Sequence, residues 1–377
     1  MTAARLAVVV AAVAVAACQD PPAQRTAAGT AAGSGPADAA APGTAGSAAG
    51  SAAVQHGPPK VIVMDEPPIV LPRQESFRLL DPGKGARSPL RYTLAARTSA
   101  VMARLTLTSR HLEHGNFTAP EALPVIRDGF AVTGADHGRL ALRAVPRQAT
   151  KASPLSDAYL AAGRSFENRG ISLEVDDRGG LAAFHFDDDP SGVASAAAHD
   201  VLAQSLLTLV VPVPDEPVGR GASWRVVSIL RQGPATIKQT ATYTLLAREP
   251  KRWRLHVKQQ RVGENQSIVD PSLPRGTAIE LIALFRVLEG DIEVEPALPL
   301  IAGGAMTLES RLHVKTQLPP APGAGSQAAP PAAIEQMVED TGRISFARCR
   351  PAPAEAVAPR EPAGQLADCA PGYVRAP

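Results

Sequence analysis

Two short stretches of the chain bring metal-ligating residue types together. His111-Leu112-Glu113-His114 sets two imidazoles three residues apart, a spacing that serves a metal where a loop folds back but puts the rings on opposite sides of an extended strand. Asp187-Asp188-Asp189, followed by Ser191 and Gly192, has the oxygen density of a calcium loop without the ligand spacing or distal glutamate of an EF-hand. A solvated turn in which Asp189 caps a helix accounts for these acids without an ion. Nucleophile and phosphate chemistry are no better served. The chain has no Gly-x-Ser-x-Gly elbow, His-Glu-x-x-His, Walker A loop or Cys-x-x-Cys. Gly219-Arg220-Gly221-Ala222-Ser223-Trp224 lacks the third glycine of a dinucleotide fingerprint, follows a helical pattern and enters a strand. It reads as a turn. No catalytic residue, metal or cofactor is assigned, and the expectation is a protein that is not an enzyme.

Composition narrows the partners. The 38 basic and 36 acidic residues of the 377-residue chain nearly cancel and are spread along it, which leaves no basic stripe for nucleic acid and no polybasic membrane patch. Two tryptophans, four tyrosines and eight phenylalanines are too few for a base-stacking platform, so the core must be built from Leu, Val, Ile and Ala.

Arg5, the apolar run Leu6 to Ala17 and then a cysteine follow the charge, core and small-residue order of an export signal. The run falls short of the roughly 20 residues a helix needs to cross a bilayer core. Val15-Ala16-Ala17-Cys18 resembles the bacterial lipobox, in which cleavage before the cysteine makes that residue the acylated N-terminus. The resemblance implies a mature chain that begins at Cys18 and is held on a membrane by acyl chains, each buried methylene contributing about 0.8 kcal/mol. Gln19 after the cysteine, by resemblance to the sorting rule of enteric bacteria, implies the periplasmic face of the outer membrane, or the cell surface. With Cys18 lipidated, Cys349 and Cys369 remain as an even pair in an exported chain, and a disulfide between them is expected.

From Gln19 to Pro59 the chain is almost entirely Ala, Gly, Ser, Thr and Pro, with Val54 its one large aliphatic residue. Such a stretch buries too little apolar surface to offset its ordering entropy and reads as a disordered tether of about 35 Å root-mean-square span.

The folded part is expected to begin near Val61, and its signal is alternation. In Arg252-Trp253-Arg254-Leu255-His256-Val257-Lys258 every second residue is apolar and the others are basic, and Arg311-Leu312-His313-Val314-Lys315 repeats the pattern. If those two strands adjoined, their basic sides would form a surface for an acidic ligand; a solvated sheet face is the plainer reading. Tyr92 to Leu94, Leu105 to Leu107, Leu140 to Leu142 and Thr236 to Leu245 alternate in the same way. Ile171 to Val175 and Leu181 to Phe186 read as a hairpin around Asp176-Asp177-Arg178-Gly179-Gly180, and Ile279 to Leu288 is expected to turn at Glu289-Gly290-Asp291 into Ile292 to Val294. A last pair of strands is expected at Ile334 to Val338 and Ile344 to Ala347.

One segment has helical period instead. Asp189-Pro190 suits an N-cap and first helical position, and Val201, Leu202, Leu206, Leu209 and Val210 recur at helical spacing, which predicts an amphipathic helix at about 190–210. After it, Pro212-Val213-Pro214-Asp215-Glu216-Pro217-Val218-Gly219-Arg220-Gly221-Ala222-Ser223-Trp224, with the earlier Gly170-Ile171-Ser172-Leu173-Glu174-Val175-Asp176-Asp177-Arg178-Gly179-Gly180, resembles an uncharacterised family of bacterial secreted and lipid-anchored β-proteins classed as a domain of unknown function. The resemblance spans about Leu90 to Ala347 and implies a mixed, mainly antiparallel β-fold with no catalytic residues to carry over.

The expected fold is therefore mainly β (α+β): a curved, mostly antiparallel sheet, half-barrel or sandwich with one helix. The expected organisation is a signal peptide at 1–17, a lipidated tether at 18–60, a β-rich domain at 61–317, a Pro/Ala-rich insertion at 318–333, closing strands at 334–348 and a tail at 349–377 carrying the disulfide. Such a chain reads as a lipid-anchored binding or interaction module whose partner is an envelope protein or a hydrophobic ligand. A lipid carrier and an enzyme without recognisable motif are the alternatives.

Overall fold

Period-two alternation runs much further than single strands of ordinary length. The computed structural model describes residues 73–95, 98–113, 115–136, 138–164, 167, 169–189, 202, 205–232, 235–268, 277–317, 333–353 and 366–376. Their strands are β1 (Arg73–Asp81), β2 (Lys84–Ser88), β3 (Ser99–Glu113), β4 (Asn116–Phe117), β5 (Glu121–Ala122), β6 (Ile126–Asp136), β7 (Arg139–Ala149), β8 (Gly170–Val175), β9 (Leu181–Phe186), β10 (Val218–Arg220), β11 (Ser223–Gln232), β12 (Ala235–Glu249), β13 (Arg252–Ile268), β14 (Ala278–Glu295), β15 (Leu298–Gln317), β16 (Ala333–Pro351) and β17 (Tyr373–Arg375). A helix, α1, covers Pro154–Arg164. The protein is mainly β, as the alternation predicts.

Fifteen strands form one antiparallel sheet whose order is β1-β11-β12-β13-β14-β15-β16-β3-β6-β7-β8-β9, with β4 and β5 on β3 and β17 on β16. It is two meanders laid side by side, β11 to β16 and β3 to β9, joined where β16 pairs with β3. The path ends at β1 and β9, so the sheet stays open. It is nevertheless strongly curved. Trp224 and Val226 of β11 share one core with Ile171 and Leu173 of β8, although nine inter-strand steps of about 4.8 Å would separate these strands by about 43 Å in a flat sheet. Leu202, Leu206 and Leu209 fill the same core from inside the curve.

Four expectations need correction or completion. Glu289-Gly290-Asp291 is not a turn: β14 runs straight through it, Gly290 pairing with Val257 on one side and Met306 on the other. The glycine is needed because a β-carbon there would overlap the Ala305 carbonyl oxygen. Ile334 to Val338 and Ile344 to Ala347 are likewise one strand, β16, whose Gly342 lets the backbone of Thr106 approach. Tyr92 to Leu94 is not a strand either. Its amides are bonded to turn carbonyls, Tyr92 N–H to Asp177 O and Thr93 N–H to Pro296 O, so the segment straps two hairpin ends together. The helix α1 is the fourth case, absent from the reading above although its start signal is present. Ser153 accepts from Ser156 N–H at 3.1 Å, Ser156 Oγ accepts from Ser153 N–H at 2.8 Å, and Pro154 occupies the first turn. Of the helix expected at 190–210, Leu202 and residues 205–209 are helical, Val210 N–H donating to Leu206 O at 2.8 Å; residues 190–201 lie outside the described residues. So do the expected signal, Cys18, the tether, the strand start near Val61, and residues 318–332 of the insertion.

Candidate functional site

The bases that the alternation places on the outer face of β13 and β15 lie against acids of neighbouring strands. The basic strands β13 and β15 do not adjoin, because β14 lies between them. Its acids meet the bases of β13: Glu293 pairs with Arg252 at 3.2 Å, Asp291 with His256 at 2.9 Å, and Glu289 with Lys258 at 2.7 Å. The Lys258 ammonium, ahead of the opposing cost of burial and the help of His256, holds the Glu289 carboxyl below the usual carboxylate range. On β15, Arg311 pairs with Glu339 and His313 with Glu335, both at 2.6 Å. Glu339 is also gripped by Arg110, the main reason its carboxyl is lowered. Over these strands the face is solvated and self-neutralised.

The metal-ligating stretches are also engaged by protein groups. Exposed His111 meets Glu113 Oε1 at 3.0 Å and Thr118 Oγ1 at 3.3 Å, and His114 lies outside the described residues. Asp187 accepts from the Ser172 hydroxyl at 2.6 Å, Asp188 pairs with Arg169 at 2.8 Å, and Asp189 donates its amide to Phe186 O in a tight turn. Among the described residues no three His, Cys, Asp or Glu side chains gather as a metal site.

The segment 211–224 is a structural corner. Trp224, fully buried, donates its indole N–H to Pro212 O at 2.9 Å, and the Tyr92 hydroxyl donates to Val211 O at 2.8 Å. Trp224 stacks on Tyr243 at 5.6 Å, while Tyr92 lies tilted against Trp253 at 5.2 Å. Burial pushes both phenols well above the ordinary tyrosine value. The segment turns at Gly221, whose φ is +80°.

Cys349 and Cys369 sit at disulfide distance, with Cα atoms 5.9 Å apart. Beside them Arg127, 1% exposed, donates to Ala367 O at 2.6 Å, to Cys369 O at 2.7 Å and to Gln148 Oε1. The tail so held covers a cleft of about 290 Å³ that Ala131, Pro146, Gln148, Ala370 and Tyr373 help to line. Gln148 is its one inward amide, and Arg127 already uses it.

The inner face holds what the outer face does not. Strand register aligns one polar row across six strands: Ser228, Gln239, Arg261, Arg286, Ser310 and Asp340, each directly opposite the next. Opposed residues share a face, and this face is the buried one, Gln239 and Arg261 each being 4% exposed. On one side lies the row Leu230, Ile237, Leu284, Leu312 and Val338; on the other lie Val226, Ala241, Leu288 and Leu308, interrupted by Gln259. Arg261 Nε donates to Gln239 Oε1 at 2.8 Å and its Nη2 to Thr208 Oγ1 at 3.1 Å, so the helical segment closes over this end. Toward β16 and β3 the row opens, and Arg286, Leu312, Val338 and Asp340 are half-buried.

Two guanidiniums face each other here with neutral oxygens as hydrogen-bond partners. Burial first, and the Arg286 charge second, bring the Arg261 guanidinium down to about 9. Burial also lowers Arg286, against the pull of Asp340. At about 9, Arg261 stays cationic at neutral pH. The sequence carries half of this signal, since Gln239 and Arg261 share the parity of buried Ala241, Tyr243, Leu255 and Val257. No family model matches the chain, and no curated protein is similar to it.

Proposed function

We propose that the chain is a non-enzymatic binding module of the bacterial envelope, anchored through a lipid on Cys18 and presenting the open end of its inner sheet face to a ligand or partner. The observation that supports this is the pair Arg261 and Arg286, set in a polar row between apolar rows, because buried like charges are costly to keep. Arg261 ties down the helical segment, but a second guanidinium opposite it adds cost without adding such a tie. The lipobox resemblance at Val15-Ala16-Ala17-Cys18 supplies the setting: a near-neutral domain needs an anchor to work at a membrane.

The test is site-specific photocrosslinking in intact envelopes, with the probe at Leu312 or Val338 inside and at Arg225 or Arg254 outside. Adducts confined to the inner positions are expected. Adducts from the outer positions alone would remove the inner-face reading. A Cys18→Ala variant that takes up labelled palmitate and stays with membranes like the wild type would remove the anchor.

A second reading, a carrier of lipid or another hydrophobic ligand, is favoured by the apolar rows on both sides of the arginines. Native mass spectrometry of the Cys18→Ala chain separates the two. A lipid that co-purifies across preparations supports the carrier, and its absence favours a protein partner.

A further inference from the structure

The polar row has an arithmetic that the rest of the fold does not. Arg261 and Arg286 are directly opposed on β13 and β14, and Asp340, two strands further on, is the one acid at a buried or half-buried position of the row; beyond it the row runs through Ser109 to Glu121 of β5, which is exposed. Ser228, Gln239 and Ser310 are neutral. The enclosed stretch from Ser228 to Asp340 therefore carries one uncompensated positive charge inside a curved sheet, where water screens it poorly. On the outer face, Arg110, Arg252, His256, Lys258, Arg311 and His313 each have an acid beside them.

The two arginines are not equivalent. Arg261 is closed in, its Nε and Nη2 engaged by Gln239 and Thr208. Arg286 is half-buried, and its Nε reaches Ser310 Oγ at 3.4 Å. Among the described residues no acceptor engages its Nη groups. The fork of Arg286 is thus the reachable part of the charge, with Arg261 behind it adding field. In the neighbouring rows lie half-buried Leu312 and Val338 on one side and buried Leu288 and Leu308 on the other. A ligand suited to this surface needs a single negative charge, a planar acceptor that takes two parallel N–H bonds, and an apolar body.

We infer that the open end of the inner face binds a long-chain carboxylate, its head on Arg286 beside Arg261 and its chain along the Leu312 and Val338 row. This rests on the inner-face reading of the module and names its ligand. A doubly charged phosphate monoester would overshoot the charge of the row, and a neutral lipid would leave that charge unmatched. Ser310, opposite Arg286, orients the guanidinium; Asp340 sets the strength of the site by competing for the same cation.

The experiment is equilibrium dialysis of the full-length Cys18→Ala chain with radiolabelled oleate and oleyl alcohol, below the concentration at which either aggregates. Oleate is expected to bind one to one and at least about tenfold more tightly than the alcohol, the value of one charge-assisted pairing. Arg286→Gln should weaken oleate about tenfold to a hundredfold and leave the alcohol unchanged. Asp340→Asn should tighten oleate. Opposite responses from two half-buried positions in one row exclude loss of fold as the common cause. Equal affinity for oleate and the alcohol would overturn the inference while leaving an apolar inner-face site in place. Unchanged oleate binding by Arg286→Gln would overturn it too. Binding of neither probe also overturns it, and the envelope crosslinking then reads the module on its own.

Discussion

Arg127 and Arg261 are both buried guanidiniums on the same sheet, 1% and 4% exposed, and they are surrounded in opposite ways. Arg127 points at the carbonyls of Ala367 and Cys369 and at Gln148, which bring the tail onto β6 and β7. Arg261 points at one amide oxygen and one hydroxyl and faces a second guanidinium. The first arrangement uses a cation to collect acceptors that would otherwise be dry, so it holds the fold together. The second ties the helical segment to the sheet through Thr208 but sets a second guanidinium opposite the first. The difference separates a cation that only collects acceptors from one that also concentrates charge.

The largest effect should come from breaking the structural member. Arg127→Leu leaves three acceptors without their donor and is expected to cost about 3 kcal/mol, within the range for removing one partner of a buried charged network. Thermal unfolding by circular dichroism should show a midpoint several degrees lower. Opening the disulfide in a Cys349→Ser, Cys369→Ser pair should cost a similar amount, about 3 kcal/mol for a loop whose ends are 20 residues apart. Because both devices secure the same tail, the combined variant should lose less than the sum of the two. Full additivity would mean that Arg127 stabilises something other than the tail.

Arg261 should respond with the other sign. Replacing a buried, incompletely balanced cation by an apolar side chain of similar length, Arg261→Met, is expected to stabilise the ligand-free chain by about 1–3 kcal/mol. The pH dependence follows from the same charge. Its folded value of about 9 lies well below the ordinary arginine value, so between those limits the unfolded chain binds the extra proton and stability rises with pH. The wild type should therefore close the gap to Arg261→Met in urea titrations as pH climbs through 9. Equal destabilisation by Arg127→Leu and Arg261→Met would erase the distinction between the two arginines.

How much of this was legible beforehand depended on whether a signal was local. Alternation in Arg252 to Lys258 gave the strand and its buried side directly, because the side-chain period is a property of neighbouring residues. Gly290 and Gly342 misled, since glycine serves a turn and a close cross-strand approach equally well, and only the position of Ala305 or Thr106 decides. The cap of α1 at Ser153 is a local signal, but the helix behind it is only 11 residues long and carries a short apolar stripe. The polar row is different in kind. That Arg261 has buried parity follows from Trp253, Leu255 and Val257, but that Arg286 lies opposite it depends on the register of β13 against β14. That register runs without a shift from Trp253 opposite Val294 to Ile268 opposite Ile279, and it is fixed by packing along both strands.

The outer face supplies the smallest test and the sharpest control. Arg110, Glu339 and Arg311 are again two arginines and one acid, aligned across β3, β16 and β15, yet here the acid stands between the bases and the guanidiniums are about half exposed. Solvent should reduce the worth of this triplet to below about 1 kcal/mol, so Glu339→Gln should shift the unfolding midpoint little at pH 7. Its signature belongs at low pH. Arg110 first, then Arg311, lowers the Glu339 carboxyl, so its contribution is complete above the unfolded carboxylate value of about 4.3 and is lost as pH falls through the lower folded value. Wild type and Glu339→Gln should converge in stability below pH 4 and differ slightly above it, and added salt should shrink that difference. The same salt should change the effect of Arg261→Met much less, because that charge is enclosed. If salt acts equally on both, the inner row is as wet as the outer one, and the case for a retained, ligand-directed charge on the inner face falls with it.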